Sequence, residues 1–321
     1  MSGIPTATLS SRFEMPAVVL TTKSLNNENL TDQVIFSGLM FGYTFIETAS
    51  YHNNEKLVGN TLRKYFKYGG KREDLFISAK LAWEKHRPSD VPAALKLTLK
   101  NLNLTYVDLY VVASPIGLDL TSPKKFDFKT DHLATWKAME AQVKAGRVRS
   151  LGLNDFNITQ INNIIRHAKI KPSVLEVEHH VYYQQKQLRK FCDKHRIMMI
   201  AFSPFGSAKG RKRWRPEQSE DDFPDPLAHP VIRELANNTC KTPAQVMLRY
   251  YLQNGVAVRP LTIKSYHLAE NINIFDFHLS NDEMQRLEEL DKGNDGAIYL
   301  YDHLGKDILE HPQYPWGWRF D

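Results

Sequence analysis

The sequence is poor in several things, and each shortage excludes a class of protein. Two cysteines, Cys192 and Cys240, are too few for a disulfide framework. Both fall in helix-like sequence, which suits a reducing compartment, and the cytoplasm is expected. No apolar run reaches the roughly 18 residues that mark a membrane span. No basic-then-apolar segment opens the chain, so no signal peptide is expected. The sequons Asn29-Leu-Thr and Asn103-Leu-Thr then read as chance matches. Internal repeats and low-complexity tracts are absent. There is also no strong excess of one charge: 42 basic against 36 acidic residues give +6, too little to mark a specific nucleic-acid surface. Metal-ligand spacing is missing as well. His179 and His180 are adjacent, adjacent strand residues point to opposite faces, and no spaced partner completes a site. No metal is expected.

What is present is an ordinary globular composition, 42% hydrophobic and 24% charged, in a chain long enough to need no staples. Strand-like and helix-like stretches alternate almost throughout, the signature of a parallel sheet. Residues 7–15 read as a short capping hairpin. Strands are expected at residues 17–20, 44–46, 75–80, 107–112, 149–153, 174–177, 197–201 and 256–260, with helices between. Pro88-Ser-Asp90 is expected to cap one of them. Eight such units predict a (β/α)8 barrel, one domain over residues 1–321. Two long loops, 114–131 and 206–230, and a tail from Gly293 are expected at the barrel mouth, where long loops carry function.

The most informative stretch is Gly42-Tyr-Thr-Phe-Ile-Glu-Thr-Ala-Ser-Tyr-His-Asn-Asn-Glu55. A short strand delivers a carboxylate, Glu47, and five residues later an ionisable ring, His52, at the end where a parallel barrel keeps its reactive groups. This stretch resembles the signature turn of the aldo-keto reductases. Further blocks match the same family: Leu75-Phe-Ile-Ser-Ala-Lys80, Thr135 to Glu140, Gly146 to Gly152, Ala201 to Ser207, Lys241 to Val246, Phe275 to Phe277 and His311 to Pro315. Several motifs in one order make the resemblance specific.

The resemblance implies hydride transfer from NADPH to a carbonyl, using a Tyr, an Asp-Lys pair and a His. Those positions are His52, Glu47 with Lys80, and Ala113, so only Lys80 is unchanged. Glu for Asp moves the carboxylate by a methylene. Imidazole for phenol exchanges a pKa of about 10 for about 6.5, and Ala113 can donate nothing. The family's nicotinamide contacts fall on Asn154, Asp155 and Glu176, with Phe202 as the stacking ring. Its 2′-phosphate grip falls on Leu261, Thr262 and His267. Ser203, Ser207, Glu270 and Asn271 stay where the family contacts adenosine and phosphates. Thr22 and its neighbours Thr21 and Lys23 replace a turn whose Gly and Trp line the family's substrate pocket.

Two functional expectations follow. In the first, the fold is kept and the NADPH-dependent reaction is lost: no dinucleotide is bound tightly, and the protein acts in binding, regulation or structure. In the alternative, the chain is an active NAD(P)H-dependent oxidoreductase of aldehydes or ketones, with His52 as acid and Lys80 and Glu47 in support. A lyase or isomerase step with Glu47 or Glu176 as base is a third idea. The basic segment Lys209 to Arg215 reads either as a solvated loop or as a docking point for a protein or polyanion partner, and a monomer is expected.

Overall fold

The structure, a computed structural model, describes residues 4–121 and 125–317. Its centre is an eight-stranded parallel sheet: Val19–Thr21, Phe45–Glu47, Phe76–Leu81, Val107–Val112, Val148–Asn154, Val174–Glu178, Met198–Phe202 and Ala257–Arg259. Neighbours in space are neighbours in sequence around the whole sheet. A parallel bridge between Val18 and Val258 joins the two edge strands, so the sheet rolls into a barrel. The expected eight strands are all present, three of them set one residue later than the sequence suggested and one, Val107–Val112, with the limits expected.

The period of two along each strand decides what fills the barrel. Val19, Phe45, Phe76, Leu109, Val111, Val174, Ile200 and Ala257 point inward and form one apolar cluster. Burying each of the larger side chains contributes about 1.5–3 kcal/mol. The hairpin Thr6–Thr8 with Glu14–Pro16 closes the bottom, and its Leu9 and Met15 join the same cluster. Gly152 faces this interior as well. A Cβ there would stand 3.0 Å from Val111 Cγ2 and 3.3 Å from Leu109 Cδ1. The opposite strand faces pack a second, larger core against the surrounding helices.

Helix starts follow the capping chemistry of the sequence. Asn157 with Gln160, Thr242 with Gln245 and Ser280 with Glu283 form reciprocal capping boxes. The expected cap at Asp90 makes no side-chain bond to the helix N–H groups; it has helical backbone angles and Pro92 follows it within the first turn. Both loops hold more order than their polar sequence suggests. Residues 117–118 pair with 126–127 in a two-stranded ladder, and Ala208–Trp214 forms a helix inside the second loop. The tail folds back over the mouth in 3-10 turns, with Tyr301, Tyr314 and Trp316 buried together. Trp318, Arg319 and Phe320 of that aromatic tail lie outside the described residues.

Candidate active site

One step above the apolar interior, the inward positions turn polar. The strands that carry Val19, Phe45, Val174, Ile200 and Ala257 carry Thr21, Glu47, Glu176, Phe202 and Arg259 two residues later. Lys80, Ala113 and Asn154 complete the layer. Register places them side by side: Thr21 beside Glu47, Asn154 beside Glu176, Phe202 beside Arg259.

The charges in this layer form a closed cluster. Lys80 Nζ lies 2.5 Å from Glu176 Oε2 and 3.5 Å from Glu47 Oε1. Arg259 reaches Glu47 at 3.4 Å and Glu176 at 3.6 Å. Thr21 Oγ1 donates to Glu47 Oε2 at 2.5 Å, and Lys80 donates to Asn154 Oδ1 at 3.0 Å. Burial alone would raise Glu47, yet Arg259 and then Lys80 outweigh it and hold the carboxyl well below its ordinary range. Burial likewise works against the charge of Lys80, but Glu176 reverses it and the ammonium is held above its ordinary range.

A cavity of about 430 Å³ opens over this layer. Its walls include His52, Lys80, Ala113, Asn154, Asp155, Phe202, Ser203, Ser207 and Leu261, so nine of the residues singled out in the sequence meet here. Thr22 does not line it; its carbonyl accepts from Asn54 Nδ2 at 2.7 Å and its N–H donates to the Glu47 carbonyl. His52 has no partner for Nδ1, and burial pushes its ring down to about 4, so it is neutral at pH 7. Asp155 is bonded by the Tyr301 hydroxyl and the Asn154 amide; burial pushes it up to about 7. Thr262 and His267 contact each other at 3.3 Å, and Leu261 stands half-exposed. Glu270 accepts from Thr242 at 2.5 Å, and Asn271 is buried.

Sequence reasoning missed five wall residues, Trp83 and Tyr299 among them. Tyr51, on the 3-10 turn Ser50–His52, lines the cavity beside Lys80. The residue is 43% exposed, yet its hydroxyl end is shielded enough to be raised to about 12, and Lys80 is the charge that acts on it most strongly. The only sequence signal was a tyrosine one place before the family's position. Arg259 carried a clearer signal, a lone cation at an inward position of the last strand. Tyr301 comes from the tail and packs on Trp83, ring centroids 4.7 Å apart; no local pattern announces it.

The basic segment is less open than its sequence. Arg211 donates to the Gly296 carbonyl at 2.9 Å, and Arg215 pairs with Asp302 at 2.8 Å. Lys209, Lys212 and Arg213 remain exposed. Among the described residues no group of three or more His, Cys, Asp or Glu could hold a metal, and no helix is long and apolar enough to cross a membrane.

The family model for the aldo/keto reductase family matches residues 26–292. The chain belongs to the aldo/keto reductase family. This aldo-keto reductase is 36% identical over 305 residues to the NAD(P)H-dependent D-xylose reductase I,II of Candida tropicalis, covering 90% of this chain and 93% of that one. It is 35% identical over 317 residues to aldo-keto reductase family 1 member A1 of Cricetulus griseus, covering 95% and 96%. Among solved structures it resembles a Bombyx mori aldo-keto reductase in complex with NADP, with a TM-score of 0.84, 28% identity, and 98% and 100% of the two chains covered. The aldose reductase of Schistosoma japonicum superposes with a TM-score of 0.83 at 30% identity, covering 97% and 98%.

The NADP(H) that this family implies can be tested against the residues present. Buried polar atoms without partners mark where a ligand has work to do. Glu176 Oε1 is one, at a position where the family holds the nicotinamide amide, and a carboxamide N–H would satisfy it. Phe202 offers an aromatic face that is partly open. Ser203 Oγ has only a 3.4 Å contact with Tyr299. The nicotinamide and pyrophosphate ends therefore fit the group. At the 2′-phosphate end Leu261, Thr262 and His267 carry no permanent charge themselves; the cation nearby is Lys264, exposed and bonded through its backbone N–H to Thr262 Oγ1 at 3.1 Å.

Proposed function

We propose that this aldo-keto reductase is an NAD(P)H-dependent oxidoreductase that reduces an aldehyde or ketone with Tyr51 as proton donor. The observation that carries the reading is the Tyr51 ring on the cavity wall beside Lys80, with Lys80 the dominant charge at its hydroxyl. The relatives' names, an NAD(P)H-dependent reductase and a complex with NADP, support it.

The chemistry needs a donor that keeps its proton at pH 7 and yields it as the carbonyl oxygen gains charge. A phenol does this, and an adjacent ammonium stabilises the phenolate left behind. Lys80 is fixed for that task by Glu176 and Asn154. His52 is neutral at pH 7 and suits the role less, which revises the expected acid by one residue. Bound nicotinamide supplies the hydride. Phe202, Glu176 and Asn154 would hold its ring end, and Ser203 and Ser207 the phosphates. With no cation at Leu261 or Thr262, NADH is expected to bind about as well as NADPH. The two free thiols, Cys192 buried and Cys240 exposed, suit a reducing compartment such as the cytoplasm.

Arg259 favours a second reading. Its guanidinium lies 5.5 Å from the Phe202 ring centroid, beside the face a nicotinamide would use. In that reading the four charges are structural, no dinucleotide is held, and the barrel serves in binding or regulation. Calorimetric titration separates the two: micromolar or tighter dissociation constants for NADH or NADPH support the oxidoreductase, and no detectable heat with either supports the second. Turnover of an aldehyde panel then tests the donor. Tyr51→Phe is expected to lower kcat by about 10²–10⁴-fold with dinucleotide affinity kept, whereas His52→Phe spares most of it. Full turnover in Tyr51→Phe would remove Tyr51 from the mechanism.

A further inference from the structure

One buried carboxylate outside the charge cluster holds the tail in place. Glu178 ends the strand Val174–Glu178 and is 3% exposed. Its one ion-pair contact among the described residues is with His180, whose Nε2 lies 2.9 Å from Oε1. Its other side-chain partners are backbone groups of the tail. The Ile298 N–H donates to Oε1 at 3.0 Å and to Oε2 at 3.1 Å, and the Tyr299 N–H donates to Oε2 at 3.0 Å. A carboxylate taken out of water is costly, and N–H donors of this kind offset the cost. Arg211 grips the same segment with the opposite polarity, donating to the Gly296 carbonyl at 2.9 Å. The fit behind the segment is close: a Cβ on Gly296 would overlap the Tyr182 carbonyl oxygen.

The held segment is part of the mouth. Tyr299 and Tyr301, alternate residues of it, both line the cavity that contains Tyr51 and Lys80. Tyr299 faces Phe202, ring centroids 6.0 Å apart. The Tyr301 hydroxyl bonds Asp155, and its ring packs on Trp83 and Trp316 at 4.7 Å each. Glu178 does not line that cavity. It reaches the cavity through the backbone that carries the two tyrosines.

We propose that Glu178 is a positioning residue for the mouth: by holding the Ile298 and Tyr299 N–H groups it fixes Tyr299 and Tyr301 as walls, and so sets how tightly a substrate is held. The grip on the tail stands on the hydrogen bonds alone; the effect on turnover rests on the oxidoreductase reading above. Walls that contact the ground state and the transition state alike act on KM and leave kcat in place. Losing hydrogen bonds to a charged group corresponds to a change of about tenfold or more.

The test uses the full-length protein and Glu178→Gln, which keeps the shape and turns an NH2 group toward the tail N–H groups. Hydrogen exchange read by mass spectrometry is expected to quicken about tenfold or more over residues 297–301, with the barrel strands unchanged. For an aldehyde that the parent reduces, KM is expected to rise about tenfold or more with kcat within about twofold. Glu178 also acts on Asp155 through its charge, so a second variant separates the two routes. Gly296→Ala displaces the tail and leaves that charge in place, and it is expected to raise KM in the same way. Unchanged exchange over 297–301 in Glu178→Gln overturns the proposal, as does faster exchange that extends through the barrel strands. An unchanged KM in either variant, or a loss confined to kcat, overturns it too. If the parent reduces no aldehyde, the oxidoreductase reading fails, and local quickening of the tail in Glu178→Gln still upholds the grip.

Discussion

Lys80→Met is the sharpest probe of the charge cluster. The substitution removes the 2.5 Å contact to Glu176 and the 3.5 Å contact to Glu47. Two buried carboxylates then share Arg259, at 3.4 and 3.6 Å. Removing one partner from a buried ion pair costs about 3–5 kcal/mol, because the other charge stays dehydrated. At about 2.1 cal/mol/K per residue, the 321 residues give an unfolding entropy of about 0.7 kcal/mol/K. The melting temperature is therefore expected to fall by about 4–7 °C.

The loss also carries a pH signature. Two carboxylates left with one guanidinium take up a proton more readily than they do in the unfolded chain. A carboxyl whose folded pKa is raised contributes stability below its unfolded value and loses it as pH rises through the folded value. The deficit of Lys80→Met is thus larger at pH 8 than at pH 5. Adding Glu176→Gln removes the stranded charge, and the double variant is expected to regain at least half of the loss. Thermal unfolding followed by circular dichroism at both pH values is the assay. A melting temperature within about 1 °C of the parent at both would refute the picture of a tightly interdependent cluster.

Two further predictions concern stability. Asp155 is pushed by burial from an ordinary 3.8 to about 7, so its neutral form stabilises the fold below the unfolded value and that gain fades as pH rises toward 7. Over about three units this is on the order of 4 kcal/mol; Asp155→Asn should flatten the fall in melting temperature between pH 4.5 and 8, and an unchanged slope would contradict it. Gly59→Ala places a Cβ 2.2 Å from the Asn101 carbonyl oxygen and 2.8 Å from Leu102 Cα. The helices Glu55–Lys67 and Val91–Leu102 must then part. A loss of about 3 kcal/mol or more is expected by chemical denaturation, and a loss below about 1 kcal/mol would show that the crossing gives way easily.

The barrel was legible because strand periodicity and helix capping are local. Val107–Val112 has the limits expected, and the other strands differ by a residue or two. The helix Ala208–Trp214 was not legible. Its Lys-Gly-Arg-Lys-Arg sequence shows no apolar stripe, and contacts with the tail through Arg211 and Arg215 hold it. At the site, Glu47, Lys80, Asn154 and Glu176 could be placed together from their positions at strand ends. The pairing of Glu47 with Lys80 was legible too, and is found at 3.5 Å; the closer contact of Lys80 with Glu176 was not, nor was the share of Arg259, which arrives from the last strand. Tyr51 escaped notice for another reason. A 3-10 turn swings each side chain by about a third of a circle per residue, so one step in sequence exchanges which ring faces Lys80.

The balanced quartet at the barrel mouth also constrains the lineage. Replacing Glu176 with glutamine leaves Lys80 and Arg259 to share Glu47, and replacing Arg259 with an aliphatic residue leaves Glu47 and Glu176 to share Lys80. Each single change therefore leaves one unbalanced charge in a buried layer. Changes of opposite sign must arrive together, so this corner of the fold behaves as a ratchet.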